Sequence, residues 1–236
     1  MTRGSLTGTA GATSVLAVVG SALRFGRLGR VRRMAFWHVG ARRLVVAVVE
    51  RTADEPLLHA CVSIGGEPQP PRLPFAPGIV EAARAVSACR LRHAVALDDE
   101  FCRIVGEDGP PAGFAGDLAT VAVPVAGAGQ ARVEASLAAI ETLMELFRQA
   151  HLSLDVLDCG ACATMSLGQF LGRPLEREAH GGGLADVTVS PAFPDPLAAV
   201  SVAPQCEAAA AELGAALTVP VGLALGVFGL VTDADR

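Results

Sequence analysis

Apolar residues in this chain come in short runs broken at intervals by glycine, proline and charge, which is the pattern of a layered α/β domain. Met34 to Val39 and Leu44 to Glu50 flank a turn at Gly40-Ala41-Arg42-Arg43 and predict a β-hairpin. Leu57 to Ile64 alternates apolar and polar positions and extends the same sheet. The stretch from Gly65 to Gly78 is proline-rich and predicts a loop, followed by a short helix over Glu81 to Cys89 and short strands over His93 to Leu97 and Phe101 to Val105. Gly106 to Gly116 is a second proline- and glycine-bearing loop.

Beyond it, Leu118 to Val125 is a near-continuous apolar run, as expected of a strand buried on both faces. From Arg132 to Ala150 the period changes. Val133, Leu137, Ile140, Met144 and Phe147 recur at spacings of three and four, with Glu134, Glu141, Glu145 and Arg148 opposite, which predicts an amphipathic helix. His151 falls at its end as a C-terminal residue favoured by the helix dipole. Leu152 to Leu157 then alternates as a strand, and Cys162 to Leu171 predicts a short helix. Ala119 to Leu171 is thus expected to form one strand-helix-strand-helix unit.

Periodicity collapses from Gly172 to Gln205, and it returns in a helix-like segment over Glu207 to Ala216 leading into Leu217 to Phe228. The division expected is a basic arm over 1–33, an α/β domain over 34–171, an irregular segment over 172–205 and a C-terminal helical segment over 206–236 that packs back on the domain. No internal repeat of fixed period is present.

Charge changes the picture at the N-terminus. The chain of 236 residues has a net charge of −5, yet residues 1–43 hold eight arginines and no acid. Arg24, Arg27, Arg30, Arg32 and Arg33 interleave with apolar residues, which suits an anionic membrane surface better than nucleic acid, since no nucleic-acid-binding module accompanies them. A solvated basic leader is the plain alternative. The strongest apolar run, Ala215 to Val231, is interrupted by Pro220, Gly222, Gly226 and Gly229 and falls short of a clean membrane span. The expectation is a soluble protein of the cytoplasm, its six cysteines reduced core thiols.

Candidate chemistry is sparse. Cys159-Gly160-Ala161-Cys162 follows a predicted strand and opens a helix, the context that lowers a thiol pKa in redox proteins, but Asp158 precedes it and its charge disfavours a thiolate. Packing of two small residues on a buried helix face is the expected role. Cys61, Cys89, Cys102 and Cys206 stand apart in sequence, and no second C-x-x-C supplies a zinc site, so no metal is expected. With no lysine in the chain, a P-loop ATPase and a protein kinase are excluded. The G-x-S-x-G elbow is absent, and the histidines at 38, 59, 93, 151 and 180 suggest no catalytic pairing.

In order along the chain, Phe36-Trp37-His38-Val39-Gly40 turning into Leu44 to Glu50, then Val121-Ala122-Val123-Pro124, the long helix, Ala150 to Asp158, and finally Leu217 to Gly226, resemble the corresponding elements of the PilM/MshI family of pilus-assembly proteins. The resemblance implies a partial actin-like, ribonuclease-H-type α/β fold with a mixed sheet and flanking helices, lacking most of the second actin-like domain. It also implies a place peripheral to the inner membrane, on a type IV or MSHA-type pilus platform, joined to a PilN-like partner. ATP-binding members carry an Asp-x-Gly phosphate loop in the first hairpin, where this chain has His38-Val39-Gly40. A second phosphate loop would match Asp158-Cys159-Gly160 with Thr164 behind it. Gly40, Asp158, Gly160 and Thr164 are therefore the candidate nucleotide positions. The expectation is a scaffold that binds without catalysis or cofactor; the alternatives are an actin-like ATP-binding protein and a C-x-x-C thiol oxidoreductase.

Overall fold

The computed structural model describes residues 31–53, 55–66, 78–106, 113–114, 116–125, 129–172 and 195–231. Its centre is a six-stranded sheet. The strands β1 (Arg33–Val39), β2 (Arg43–Glu50) and β3 (Leu57–Gly65) form an antiparallel meander. Helix α1 (Ile79–Ala85) then leads to β4 (Arg92–Leu97), which pairs parallel to β1.

The chain next leaves the main sheet to build a small antiparallel one from β5 (Cys102–Gly106), β6 (Leu118–Val125) and β7 (Gly129–Ser136), in the order β5-β7-β6. It returns through α2 (Leu137–Gln149) to β8 (Ser153–Cys159), parallel to β4, and continues directly into α3 (Gly160–Phe170). After residue 194 a 3-10 turn (Pro196–Ala199), β9 (Ser201–Val202), a second 3-10 turn (Pro204–Cys206), α4 (Glu207–Leu213), a third (Gly214–Leu217) and α5 (Thr218–Val227) follow. The main sheet runs β8-β4-β1-β2-β3-β9, and β2 alone is antiparallel to the rest.

Burial on both faces explains the unbroken apolar runs of β1, β2 and β4. Alternate residues face opposite layers. Ala35, Trp37, Val39, Val46, Val95 and Leu97 join the core under α1, α2 and the small sheet. Met34, Phe36, Val45, Ala47, Ala94 and Ala96 join the core under α3, α4 and α5. The second layer is tight: a Cβ placed on Gly222 of α5 would stand 2.0 Å from the Ala163 carbonyl oxygen of α3. Ala163, Leu167, Val221 and Ala224 fill that crossing. The apolar stretch around α5 is long enough to cross a membrane by composition, but 61% of its most apolar window is buried in the fold. This is how a core helix scores.

Four expectations need correction. Residues 132–136 are strand: β7 lies between β5 and β6 and pairs with both, and the helix starts only after Ser136, whose hydroxyl accepts from the Ala139 N–H at 3.4 Å. Pairing on both sides outweighs a helical period that Val133 and Leu137 satisfied by coincidence. Ala119 to Leu171 is consequently strand, strand, helix, strand, helix.

The strand over 118–125 is not buried on both faces; it is an edge of the small antiparallel sheet, with Thr120 exposed and Leu118 and Val121 half-buried. His151 lies beyond the helix rather than in it, at φ 55° next to the cap residue Ala150. Within the segment expected to be irregular, residues 196–206 carry two 3-10 turns and β9; residues 173–194 lie outside the described residues.

Candidate site at the carboxyl ends of the parallel strands

In open α/β sheets the crevice beyond the carboxyl ends of the parallel strands is the place where ligands bind. Here β1, β4 and β8 end together, and the residues there carry most of the polar chemistry of the main sheet. Asp98 follows β4, and its N–H donates to the Val39 carbonyl at 3.0 Å. Its carbonyl accepts from the N–H groups of Phe101 and Cys102 at 2.8 and 3.0 Å, which folds Asp98-Asp99-Glu100-Phe101 into a tight turn. The Glu100 carboxylate accepts from the Ala41 N–H at 3.3 Å, tying that turn to the β1–β2 hairpin.

His38, the penultimate residue of β1, holds Nε2 3.7 Å from Asp98 Oδ1. His38 keeps the Asp98 carboxyl below its ordinary value, against the opposite effect of burial. Asp99 is pushed up to about 6, first by desolvation of its inner side and then by the nearby Cys159 and Asp98 charges.

The candidate nucleotide positions distribute as follows. Gly40 and Gly160 are both at this mouth. A Cβ on Gly40 would stand 2.9 Å from Asp98 Oδ2, and one on Gly160 would stand 3.2 Å from the Leu97 carbonyl and 3.8 Å from His38 Nε2. Both glycines permit close approach, but what approaches is the protein's own carboxylate, carbonyl and imidazole. Asp158, the penultimate residue of β8, accepts from the Cys159 N–H at 2.8 Å. Thr164 is buried in α3 and 5% exposed. Among the described residues no group of three or more His, Cys, Asp or Glu is placed to hold a metal ion.

The basic positions stand elsewhere. Arg32 and Arg33 are exposed at the start of β1, the opposite end of that strand from the mouth, with the Arg32 carbonyl accepting from the Arg51 N–H. Arg24, Arg27 and Arg30 lie outside the described residues.

Cysteines that stand apart in sequence do not stand apart in the fold. Cys159 is the last residue of β8 and the N-cap of α3, wholly buried, with Sγ 3.5 Å from the Cys102 carbonyl oxygen. The Cys102 and Cys162 thiols beside it lower the Cys159 pKa, while Cys102 and Cys162 are themselves pushed up, Cys102 chiefly by Cys159 and then by burial, Cys162 in the same order. The effect expected of Asp158 falls on Cys102 and Cys162. A second encounter brings Cys61 of β3 to Cys206, Sγ to Sγ 3.5 Å.

Histidine pairing was likewise hidden. His59 Nε2 lies 2.7 Å from Glu50 Oε2, and wholly buried His93 accepts from Trp37 Nε1–H at Nδ1, 2.9 Å. Sequence reading missed Asp98, His38 and Cys102; the run Asp98-Asp99-Glu100 directly after a predicted strand was the available signal for the first.

No family model matches the chain, and no curated protein does. Several solved structures resemble this chain coarsely, two of them as follows. One is the PilM-PilN type IV pilus biogenesis complex, with a TM-score of 0.40 and 20% identity, over 58% of this chain and 50% of that one. The other is the cytoplasmic domain of EpsL, an inner-membrane component of the type II secretion system of Vibrio cholerae, with a TM-score of 0.41 and 10% identity, over 55% of this chain and 58% of that one. The chain therefore spans 50% of the one and 58% of the other, and the likeness is coarse.

Proposed function

We propose that this chain is a non-catalytic scaffold of a pilus- or secretion-type assembly platform, built on a shortened actin-like, ribonuclease-H-type fold and joined at the cytoplasmic face of the inner membrane to a PilN-like membrane partner. The strand order β3-β2-β1-β4-β8, with β2 alone reversed and helices on both faces, supports the fold side of that reading. The observation that carries the non-catalytic side is the mouth of the sheet. Asp98 occupies the space over Gly40, and Asp99, Glu100 and Asp158 surround it.

A phosphate placed over Gly40 would meet the Asp98 side chain in the space that a phosphate loop leaves open for its backbone N–H groups to reach the ligand. ATP is the one cofactor the resemblance brings, and in this reading it does not bind. Thermal denaturation with and without Mg-ATP tests the point: the expected result is an unchanged Tm, and a saturable rise of several degrees would sink the scaffold reading in favour of an ATP-binding one. For the partner, the cytoplasmic leader of a PilN-like protein should retain this chain in a pull-down, and its failure to do so would remove the platform assignment.

One feature favours the thiol oxidoreductase alternative: the Cys102 and Cys162 thiols hold the Cys159 thiol below its ordinary pKa. Its complete burial weighs against that alternative, because a substrate disulfide needs to reach the attacking sulfur.

A further inference from the structure

The C-terminal unit is fastened to the edge of the main sheet in a way that goes beyond packing. β9 pairs with β3 at two positions only, Leu57 with Ser201 and Leu58 with Val202. Backbone bonds at this end run from Ser201 N–H to the Pro56 carbonyl and from Ala203 N–H to the Leu58 carbonyl, 2.8 and 2.9 Å. Past that point the ladder stops, and the two segments also meet at Cys61 and Cys206, sulfur to sulfur at 3.5 Å. Both residues are buried, 8% and 2% exposed, and 145 positions separate them in sequence.

We propose that Cys61 and Cys206 are an oxidisable dithiol, and that their disulfide fastens the C-terminal unit to β3 where backbone pairing ends. The oxidant class is a low-molecular-weight disulfide. Closing the gap from 3.5 Å requires the sulfurs to approach by about 1.5 Å, within the reach of side-chain rotation. Cys61, the more exposed of the two at 8%, attacks the small disulfide as thiolate when the two-residue pairing of β9 with β3 opens, which forms a mixed disulfide and expels one small thiol. The second attacks the protein-bound sulfur and expels the other. Two protein thiols lose two electrons and two protons, and one small disulfide becomes two small thiols, so the exchange balances.

Burial, together with Cys206 beside it, pushes the Cys61 thiol up to about 12. The bond accordingly forms slowly at neutral pH and, once formed in the same dry layer, resists reduction. It is a persistent fastening rather than a fast switch. It rests on this contact alone and is independent of the scaffold reading.

Incubating the folded full chain with excess oxidised glutathione, alkylating residual thiols in denaturant and mapping the non-reduced digest by mass spectrometry tests the proposal. The expected result is a Cys61–Cys206 cross-linked peptide. A Tm roughly 5–10 °C above that of the reduced chain should accompany it, as closing a long loop predicts. Reduction in denaturant followed by refolding should abolish both, and neither should develop in Cys61→Ser or Cys206→Ser. Recovery of both cysteines fully alkylated would overturn the proposal, as would cross-links confined to Cys102, Cys159 and Cys162. The mapping of the unsubstituted chain decides the matter even where a serine variant folds poorly.

Discussion

The two faces of the main sheet solve the same problem by different means. Under α1 and α2, the layer is filled by large rings with a polar contact at its centre: Trp37, His93 and Phe147 meet with centroids 5.5 to 5.8 Å apart, and the indole N–H donates to the imidazole. Under α3 and α5, small residues at the helix crossing let the two helices touch along their backbones, beside an edge-to-face pair of Phe36 and Phe228. One face is therefore sensitive to protons and the other to volume. A fold with both shows that burial alone does not set the character of a core; the size of the residue at the crossing does.

The sharpest way to break this contrast is to add one methyl group to the tight face. Gly222→Ala puts a Cβ against the Ala163 carbonyl, backbone against side chain with no rotamer to relieve it, and should cost about 3 kcal/mol in urea denaturation. Gly226→Ala, one turn on, meets only the Ser166 hydroxyl at 3.2 Å and should cost less than about 1 kcal/mol. Equal costs at the two sites would mean that the helices are free to separate.

A comparable effect on the other face needs only a change of pH. His93 falls from its ordinary 6.5 to about 4 because burial disfavours the imidazolium, the Asp155 charge opposing this in part. Between those values the unfolded chain binds a proton that the folded chain does not. Stability is therefore full above pH 6.5 and declines as pH falls toward 4, by roughly 3 kcal/mol in total. His93→Gln, which keeps an acceptor for Trp37, should flatten that part of the profile of denaturation midpoint against pH. An unchanged slope would place the proton sensitivity elsewhere.

The smallest expected effect tests the strand-to-helix junction that feeds the aromatic face. Ser136→Ala removes the N-cap of α2 and should cost about 0.5–1 kcal/mol, readable as a small shift in the same denaturation midpoint.

Legibility in the sequence followed the range of the interactions. The β1–β2–β3 meander, β4, β8 and α3 were readable, because local period and turn chemistry decide them. The start of α2 was not, because residues 132–136 satisfy both periods and only pairing with β5 and β6 chooses between them. Gly40, Asp158 and Gly160, singled out in the sequence, lie at the mouth of the sheet, and so do Asp98, His38 and Cys102, which were not singled out. Nothing local announces that a residue 57 positions away will face Cys159. The same holds for Cys61 and Cys206. Contacts across the sheet are written in topology, and topology was available only through a resemblance in the order of elements.

The place of α5 over the sheet also has a consequence in time. The six positions of β1, β2 and β4 that α5 helps to cover are translated well before residues 218–227, and β8 closes the parallel set at residue 159. At roughly 5–20 residues per second, the ribosome leaves that apolar surface bare for several seconds. A nascent chain with such a face is a client for a holding chaperone until its lid arrives, and slow synthesis between β8 and α5 should raise its tendency to aggregate.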